Sequence, residues 1–384
     1  MERKLASIQI IKDIRPIENA DKIEVSIVLD WRCVVKKNEF KIGDKCVYFE
    51  IDSLLPSDKP QFEFMRERKF RVRTIKLRGE ISQGLVLKIE DCLPTRKKDM
   101  YKDYKEGMDV TNLIGVKKYE PNPEVIKVPQ YNKNNILIKL FGNYIKKNKF
   151  LRKFFLRKTF KSTWPRFLIK TDEIRVQSIY SKIQKYFKDE KFYITQKLDG
   201  CSGSFYVYKN LYGICSRNIE IYNKKQKTFH GDNVYFEVEK KYDIINKLKK
   251  YQKENKINLA IQGEIIGPNV ANAEKGSTGI KELDFFVFNI FDIDKRKYLD
   301  FEEMMKIINE LNLKIVPIIH SEIDITNFTL ESLLELSKGF YNFDDKTKIQ
   351  EGIVIRSLKE KTIPFLGRFS FKVINNDFLL EYNL

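Results

Sequence analysis

Histidine is almost absent: His230 and His320 are the only two in 384 residues. A Ser-His-Asp triad or a His-rich metal centre is therefore not expected, and both histidines are expected at the surface. Cysteine is sparse and odd in number. Cys33, Cys46, Cys92, Cys201 and Cys215 include no C-x-x-C pair, which argues against a disulfide framework and a zinc site and suits a reducing compartment. No apolar run approaches the ~20 residues of a membrane span. Met1-Glu2-Arg3-Lys4 is not followed by the apolar stretch of a secretory leader. A soluble, intracellular, cytoplasmic protein without a membrane partner is the expectation.

Acidic residues are missing from 131–170, which hold twelve Lys or Arg with Phe141, Phe150, Phe154, Phe155, Phe160 and Trp164 between them. That mixture suits a phosphate backbone and base stacking, and equally a solvated basic helix. The whole chain carries a net charge of +19, from 72 Lys+Arg and 53 Asp+Glu. Such an excess favours polyanionic partners, although an A+T-rich coding sequence inflates lysine as well. A hydrophobic content of 42% and an aromatic content of 13% indicate a globular chain. Its length allows two or three domains.

Strand patterns alternate with turn residues over 4–14, 23–29, 32–36, 45–51, 71–77 and 84–89. Five or six short strands without long helices suggest a small OB-like barrel over 1–120; a small sandwich or SH3-like barrel fits the same letters. Residues 121–165, opened by Pro121, Pro123 and Pro129, read as a basic, aromatic linker. From 166 to 384 helices and strands alternate. A helix is expected after Thr171 or Asp172, with Val176, Ile179, Ile183 and Phe187 at helical spacing. A strand over 193–196 then delivers Lys197. A hairpin follows over 205–216, then one long amphipathic helix over 234–255. Strands over 260–265, 285–291, 352–356 and 369–374 and helices over 301–311 and 330–337 complete an antiparallel α+β domain.

Lys197-Leu198-Asp199-Gly200 reads as the nucleophile motif of enzymes that carry AMP or GMP on a lysine. A lysine amine is almost wholly protonated at neutral pH, so such a nucleophile needs a site that lowers its pKa. Asp199 can orient substrate or metal, and Gly200 tolerates φ > 0 beside a nucleotide. Four elements follow in order. SRN (216–218) ends a strand with an arginine fork suited to phosphate or ribose. GEIIG (263–267) sets one carboxylate between glycines. EGIVIR (351–356) places a second carboxylate at the start of a buried strand, and SFK (370–372) a second lysine in a hydrophobic one. Charges in runs suited to burial need partners, and a nucleotide phosphate would serve.

The order KLDG, SRN, GEIIG, FVFNIFD (286–292), EGIVIR, SFK resembles the covalent nucleotidyltransferases: DNA ligases, RNA ligases and mRNA capping enzymes. Only twelve residues follow Lys372, whereas DNA ligases and capping enzymes carry an OB domain there. An OB-like module at the amino end is similar to the Deinococcus-type ATP-dependent RNA ligases, as are KLRGEISQGL (76–85) and KTDEIRVQ (170–177). The resemblance implies an ATP-grasp-like adenylyltransferase domain with antiparallel sheets behind a small all-β OB-like barrel. It implies that Lys197 forms a lysyl-adenylate and that Arg217 contacts the nucleotide beside Gln196, Asp199 and Gly200. Glu264 would bind the ribose hydroxyls, and Phe288 would stack on adenine. Glu351 would hold Mg²⁺ or Mn²⁺ near the α-phosphate of ATP, and Lys372 would neutralise that phosphate. Two positions depart from the pattern: Gln196 stands where related ligases often have Glu, and Ser370 where many have a second lysine.

The expected partner is RNA, or an RNA-containing duplex with a nick, sealed by the chain as a monomer. Arg71, Arg73, Lys76 and Arg78 of the amino-terminal module carry charges suited to its phosphates. A DNA ligase, a capping-type GTP enzyme and a non-catalytic OB protein are the alternatives. All nucleotide motifs lie beyond residue 193, so the amino-terminal module is expected to serve sealing rather than nucleotide transfer.

Overall fold

Alternating apolar residues make Ala6–Pro16 the spine of the amino-terminal module. Its first half pairs antiparallel with Lys45–Phe49 and its second half with Ile23–Val28, and the register shifts between Ile11 and Asp13. A shift of this kind bends a strand, so one long strand serves both halves of a curved sheet. Trp31–Lys36 and Leu85–Lys88 complete the five strands. One apolar cluster lies around Phe49, Phe62 and Ile114, another around Trp31, Cys33 and Tyr48. This computed structural model describes residues 4–93, 103–119, 164–186, 190–221, 233–268, 270, 278–363 and 367–384. The 121–165 segment therefore lies outside the described residues except for Trp164 and Pro165, and so do Phe187 and His230.

Two sheets form the carboxy-terminal half. The first runs Ile174–Arg175, Ser370–Ile374, Gly352–Ser357, Phe192–Lys197, Ile318–Ile323. The second centres on Cys201–Tyr208, Leu259–Ile266 and Asp284–Asp292. Successive strand residues face opposite sides, and each sheet packs one side on an apolar core, the second sheet carrying a smaller apolar cluster around Tyr206, Ala260 and Phe291 on its other side. Phe192, Ile194, Ile353, Ile355, Phe371 and Val373 fill a core behind the first sheet. Phe205, Ile261, Ile265, Phe285, Val287 and Ile290 fill another behind the second. Polar residues of both are left to line the space between them.

The expected α+β class holds, with corrections inside it. Two pairings are parallel: Ile174–Arg175 with Ser370–Ile374, and Asp284–Asp292 with Lys314–Ile315. The long helix is two helices, Val234–Tyr242 and Ile244–Asn255, because Asp243 turns left-handed at φ 52 between them. The Glu239 carboxylate accepts from the Ile245 amide, at 3.2 Å from each oxygen, and caps the second helix. The helix expected after Asp172 starts late and is broken: Ile174–Arg175 is a strand, followed by a 3-10 turn, the single α-helical turn Tyr180–Ile183 and a second 3-10 turn. Pairing with the Lys372 strand takes that backbone out of helical geometry. All five cysteines are free and buried. His320 is half-buried on the edge strand Ile318–Ile323.

The amino-terminal module is docked onto the carboxy-terminal half. The indole of Trp31, 1% exposed, donates to Ser178 Oγ at 3.2 Å, and the Asp30 amide donates to the Gln177 carbonyl at 3.2 Å. Gln83 Nε2 donates to Asn376 Oδ1 at 3.0 Å, and the Thr74 amide to the Leu384 carbonyl at 2.9 Å. Among the described residues no helix is long and apolar enough to cross a membrane.

Candidate active site

Strand register decides which side chains meet. Lys197 lies opposite Gly352, and Thr195 opposite Val354, which in turn lies opposite Lys372. Directly opposed residues share a face, so Lys197 and Lys372 emerge on the face turned away from the oily core. Gly352, at φ 148, lets three strands come close: a Cβ there would sit 2.2 Å from the Val373 carbonyl oxygen.

After Lys197 the chain crosses to the second sheet through Leu198, Asp199 and Gly200. The Gly200 amide donates to Glu264 Oε1 at 3.2 Å. Gly200 was expected to use φ > 0, but it is not among the positive-φ glycines. Its requirement is space, since a Cβ would lie 2.2 Å from the Ile265 carbonyl oxygen. Glu264 stands opposite Ser202 on one side and Phe286 on the other.

Lys197 Nζ donates to Glu351 Oε2 at 2.6 Å. Burial pulls the Lys197 pKa down, but Glu351, Glu264 and Asp199 outweigh it and hold the ammonium above its ordinary value. The expected depression is absent from the site without ligand. Burial also lifts the Glu264 carboxyl to about 8; repulsion from Glu351 and Asp199 adds to this, and Lys197 and Arg217 only partly oppose it. The pocket thus holds more carboxylate than cation. Among the described residues no group of three His, Cys, Asp or Glu is arranged to hold a metal ion. A hard divalent ion bound through one or two carboxylates and substrate phosphates needs no such group, and the carboxylate excess around Glu351 fits it.

The other expected residues fall in several places. Gln196 is buried, its Nε2 donating to Gln350 Oε1 at 2.6 Å and to the Phe340 carbonyl at 3.2 Å. Arg217 is exposed and paired with Asp172 at 2.5 Å. Lys118 of the amino-terminal module lies 3.9 Å from the same carboxylate. Phe288 is half-buried, with the Arg356 guanidinium 5.9 Å from its ring centroid. Lys372 is half-buried in its strand. Of the four basic residues assigned to phosphates, Arg71 is turned inward, paired with Asp52 at 2.9 Å and stacked over Tyr119 at 3.9 Å. Arg73 is half-buried, while Lys76 and Arg78 are exposed. Arg78 and Gly79, at φ 49 and 88, form the tight turn between Thr74–Leu77 and Glu80–Gln83.

Two residues to which the sequence reading gave no role complete the site. The Tyr341 hydroxyl donates to the Lys197 carbonyl at 2.8 Å and accepts from the amides of Glu351 at 3.0 Å and Asp199 at 3.2 Å. Its one sequence signal is the aromatic cluster Phe340, Tyr341 and Phe343 in a largely polar stretch ahead of Glu351. Arg356, 3% exposed, reaches Thr195 Oγ1 at 3.4 Å and Glu173 at 3.3 Å. It is the last letter of EGIVIR, and a charge inside an apolar run was signal enough.

Comparison with known proteins places both halves of the chain in known families. An OB-fold domain family matches residues 5–89 and the RNA ligase family matches residues 190–374. A solved structure of Naegleria gruberi RNA ligase with PPi is similar at 31% identity and a TM-score of 0.77, covering 100% of this chain and 99% of that one. The chain belongs to the RNA ligase family. Two mutant structures of the Naegleria gruberi ligase, one apo and one with ATP and Mn, are similar at 30% identity with a TM-score of 0.77. The apo form covers 99% of this ligase and 98% of that chain, the ATP and Mn form 98% of each. No curated protein matches the sequence.

Proposed function

We propose that the chain is an ATP-dependent ligase that joins RNA 3′-hydroxyl and 5′-phosphate ends at nicks in duplexes. The Lys197–Glu351 pair carries this reading: a half-buried lysine, at the end of a strand just before Gly200, faces a carboxylate at 2.6 Å. Lys197 attacks only as the neutral amine, so Glu351 has to exchange the ammonium for another cation before reaction. The amine then forms a P–N bond to the α-phosphorus of ATP, and the bond to pyrophosphate breaks. A 5′-phosphate oxygen next displaces Lys197 from the AMP. The 3′-hydroxyl finally displaces AMP and closes the strand.

Each residue's role follows from charge and position. Glu351 would hold Mg²⁺ or Mn²⁺, which when bound neutralises charge building on the phosphates. Lys372, on the same face as Lys197, supplies a fixed positive charge to the α-phosphate. Glu264 serves the ribose, Phe288 stacks on the base, and Gln196 has its carbonyl oxygen left to meet the base edge. Arg217 and Asp172 part to admit phosphate. We assign 1–120 to the OB-like module, 121–165 to a linker and 166–384 to catalysis, in a monomer. The Naegleria gruberi complexes with ATP and Mn support the choice of nucleotide and ion.

One gel tests the reading. The protein is incubated with labelled ATP or GTP and scored for acid-stable label, then offered nicked duplexes with RNA or DNA at the 3′-hydroxyl side. Label from ATP alone and sealing of RNA-ended nicks are expected. Label from GTP would make the chain a capping-type enzyme, and no label at all a non-catalytic binding protein.

A further inference from the structure

The ladder between Phe192–Lys197 and Gly352–Ser357 ends at the pair Lys197 and Gly352. Beyond it the nucleophile loop turns away, and several backbone groups gather at the ladder's end. Three of them, the Lys197 carbonyl and the amides of Asp199 and Glu351, converge on one atom, the Tyr341 hydroxyl oxygen. A hydroxyl has one proton to give and two lone pairs, and all three are used here. The ring is 1% exposed, so water does not substitute. Burial and the neighbouring Glu351 and Asp199 hold the phenol un-ionised, its pKa well above the ordinary value.

We propose that Tyr341 is a positioning residue for nucleotide transfer, fixing the nucleophile Lys197 against Asp199 and Glu351 through its hydroxyl. The proposal rests on the ligase reading of the site. The residues it joins bear the attacking amine and two of the carboxylates around it; Lys197 and Asp199 belong to one chain segment and Glu351 to another. Tyr341 sits in a third segment, held in turn by Gln350, whose Nε2 donates to the Ser337 carbonyl at 2.9 Å and the Lys338 carbonyl at 3.1 Å. The Tyr341 amide itself donates to the Lys348 carbonyl at 2.8 Å. One phenol thus does what a continued strand pair would do. It keeps the 2.6 Å spacing of Lys197 and Glu351 while leaving both side chains free to turn to a ligand.

The test is single-turnover lysyl-adenylate formation in the full-length protein, wild type against Tyr341→Phe, over a range of ATP concentrations. Misplacing reacting groups by an ångström costs on the order of a hundredfold in rate, so the rate constant should fall by roughly tenfold or more. The ATP concentration giving half-maximal rate should stay within about twofold, and the final amplitude of label should be unchanged. A merely structural role would show the converse, a lower amplitude in step with the folded fraction and an unaltered rate constant. That result, or a wild-type profile, overturns the proposal. If Tyr341→Phe does not fold, 3-fluorotyrosine at position 341 keeps the shape but weakens the oxygen as an acceptor. A smaller fall in rate at full amplitude is then expected, and none would overturn the role. Wild-type protein that takes no label from ATP defeats the ligase reading itself, a failure separate from that of Tyr341.

Discussion

At the residue scale, the feature that most constrains the chemistry is the surplus of carboxylate around one ammonium. Lys197→Ala should abolish adenylate transfer and keep the fold, because the side chain occupies a ligand cleft; label retained by the variant would refute its role as nucleophile. Glu351→Ala and Lys372→Ala should each cost ~10²–10³ in the adenylation rate, the usual loss when one charge-stabilising group is removed. Wild-type rates in both would make those strands structural only. Glu264 gives a stability signature. Its folded pKa of about 8 lies above the ordinary 4.5, so the folded protein holds this proton more tightly than the unfolded chain. Its contribution to stability is therefore full below pH 4.5 and is lost as pH rises towards 8. Glu264→Gln cannot lose that proton. The melting temperature of the variant relative to wild type should climb between pH 4.5 and 8 and level off above; a difference independent of pH would contradict the assignment.

At the scale of elements, the ladder pairs are what bring the chemistry together, and two glycines set their spacing. Gly352→Ala would push a methyl against the Val373 carbonyl oxygen, at 2.2 Å before any relaxation. Overpacking of this kind typically costs ~1–3 kcal/mol, and here it separates the strand after Glu351 from the strand of Lys372. A lower melting temperature together with slower adenylation is expected; a loss of stability with the wild-type rate would show that the strand spacing is not critical. The strands themselves were legible because apolar residues alternate in them; Lys197 was marked by the KLDG motif, and Glu264, Glu351 and Lys372 by charges placed where burial was expected. The break at Asp243 was not legible, since the apolar spacing continues across it and only a left-handed φ interrupts the helix. The helix expected after Asp172 failed for a different reason: Ile174 and Arg175 pair with a strand nearly two hundred residues away in sequence, and periodicity reports local geometry alone. Tyr341 stayed hidden because its partners are backbone groups, which leave no pattern in side-chain letters.

At the scale of the molecule, the docked amino-terminal module changes what its removal should do. With the nucleotide motifs confined to the second half, deletion would be expected to spare adenylation and harm only sealing. The docking adds a mechanical link. Trp31 and Asp30 hold residues 177–178, the continuation of Ile174–Arg175, and Arg175 pairs in register with Lys372. Lys118 of the same module also meets the Asp172 that holds Arg217. Deleting residues 1–119 should therefore slow both adenylation and sealing. Neutralising Lys76 and Arg78 is a different operation. Both are exposed on a hairpin whose docking contacts are made by Thr74 and Gln83 instead, so Lys76→Ala with Arg78→Ala should leave adenylation intact. If these two groups bind phosphates, neutralising either one reduces the slope of log affinity against log salt by roughly one. Binding of a nicked duplex by the double variant, measured across salt concentrations, should then be weaker, with a slope shallower by about two. An unchanged slope would mean that the hairpin charges are solvated only and that the module acts on the nucleic acid through another face.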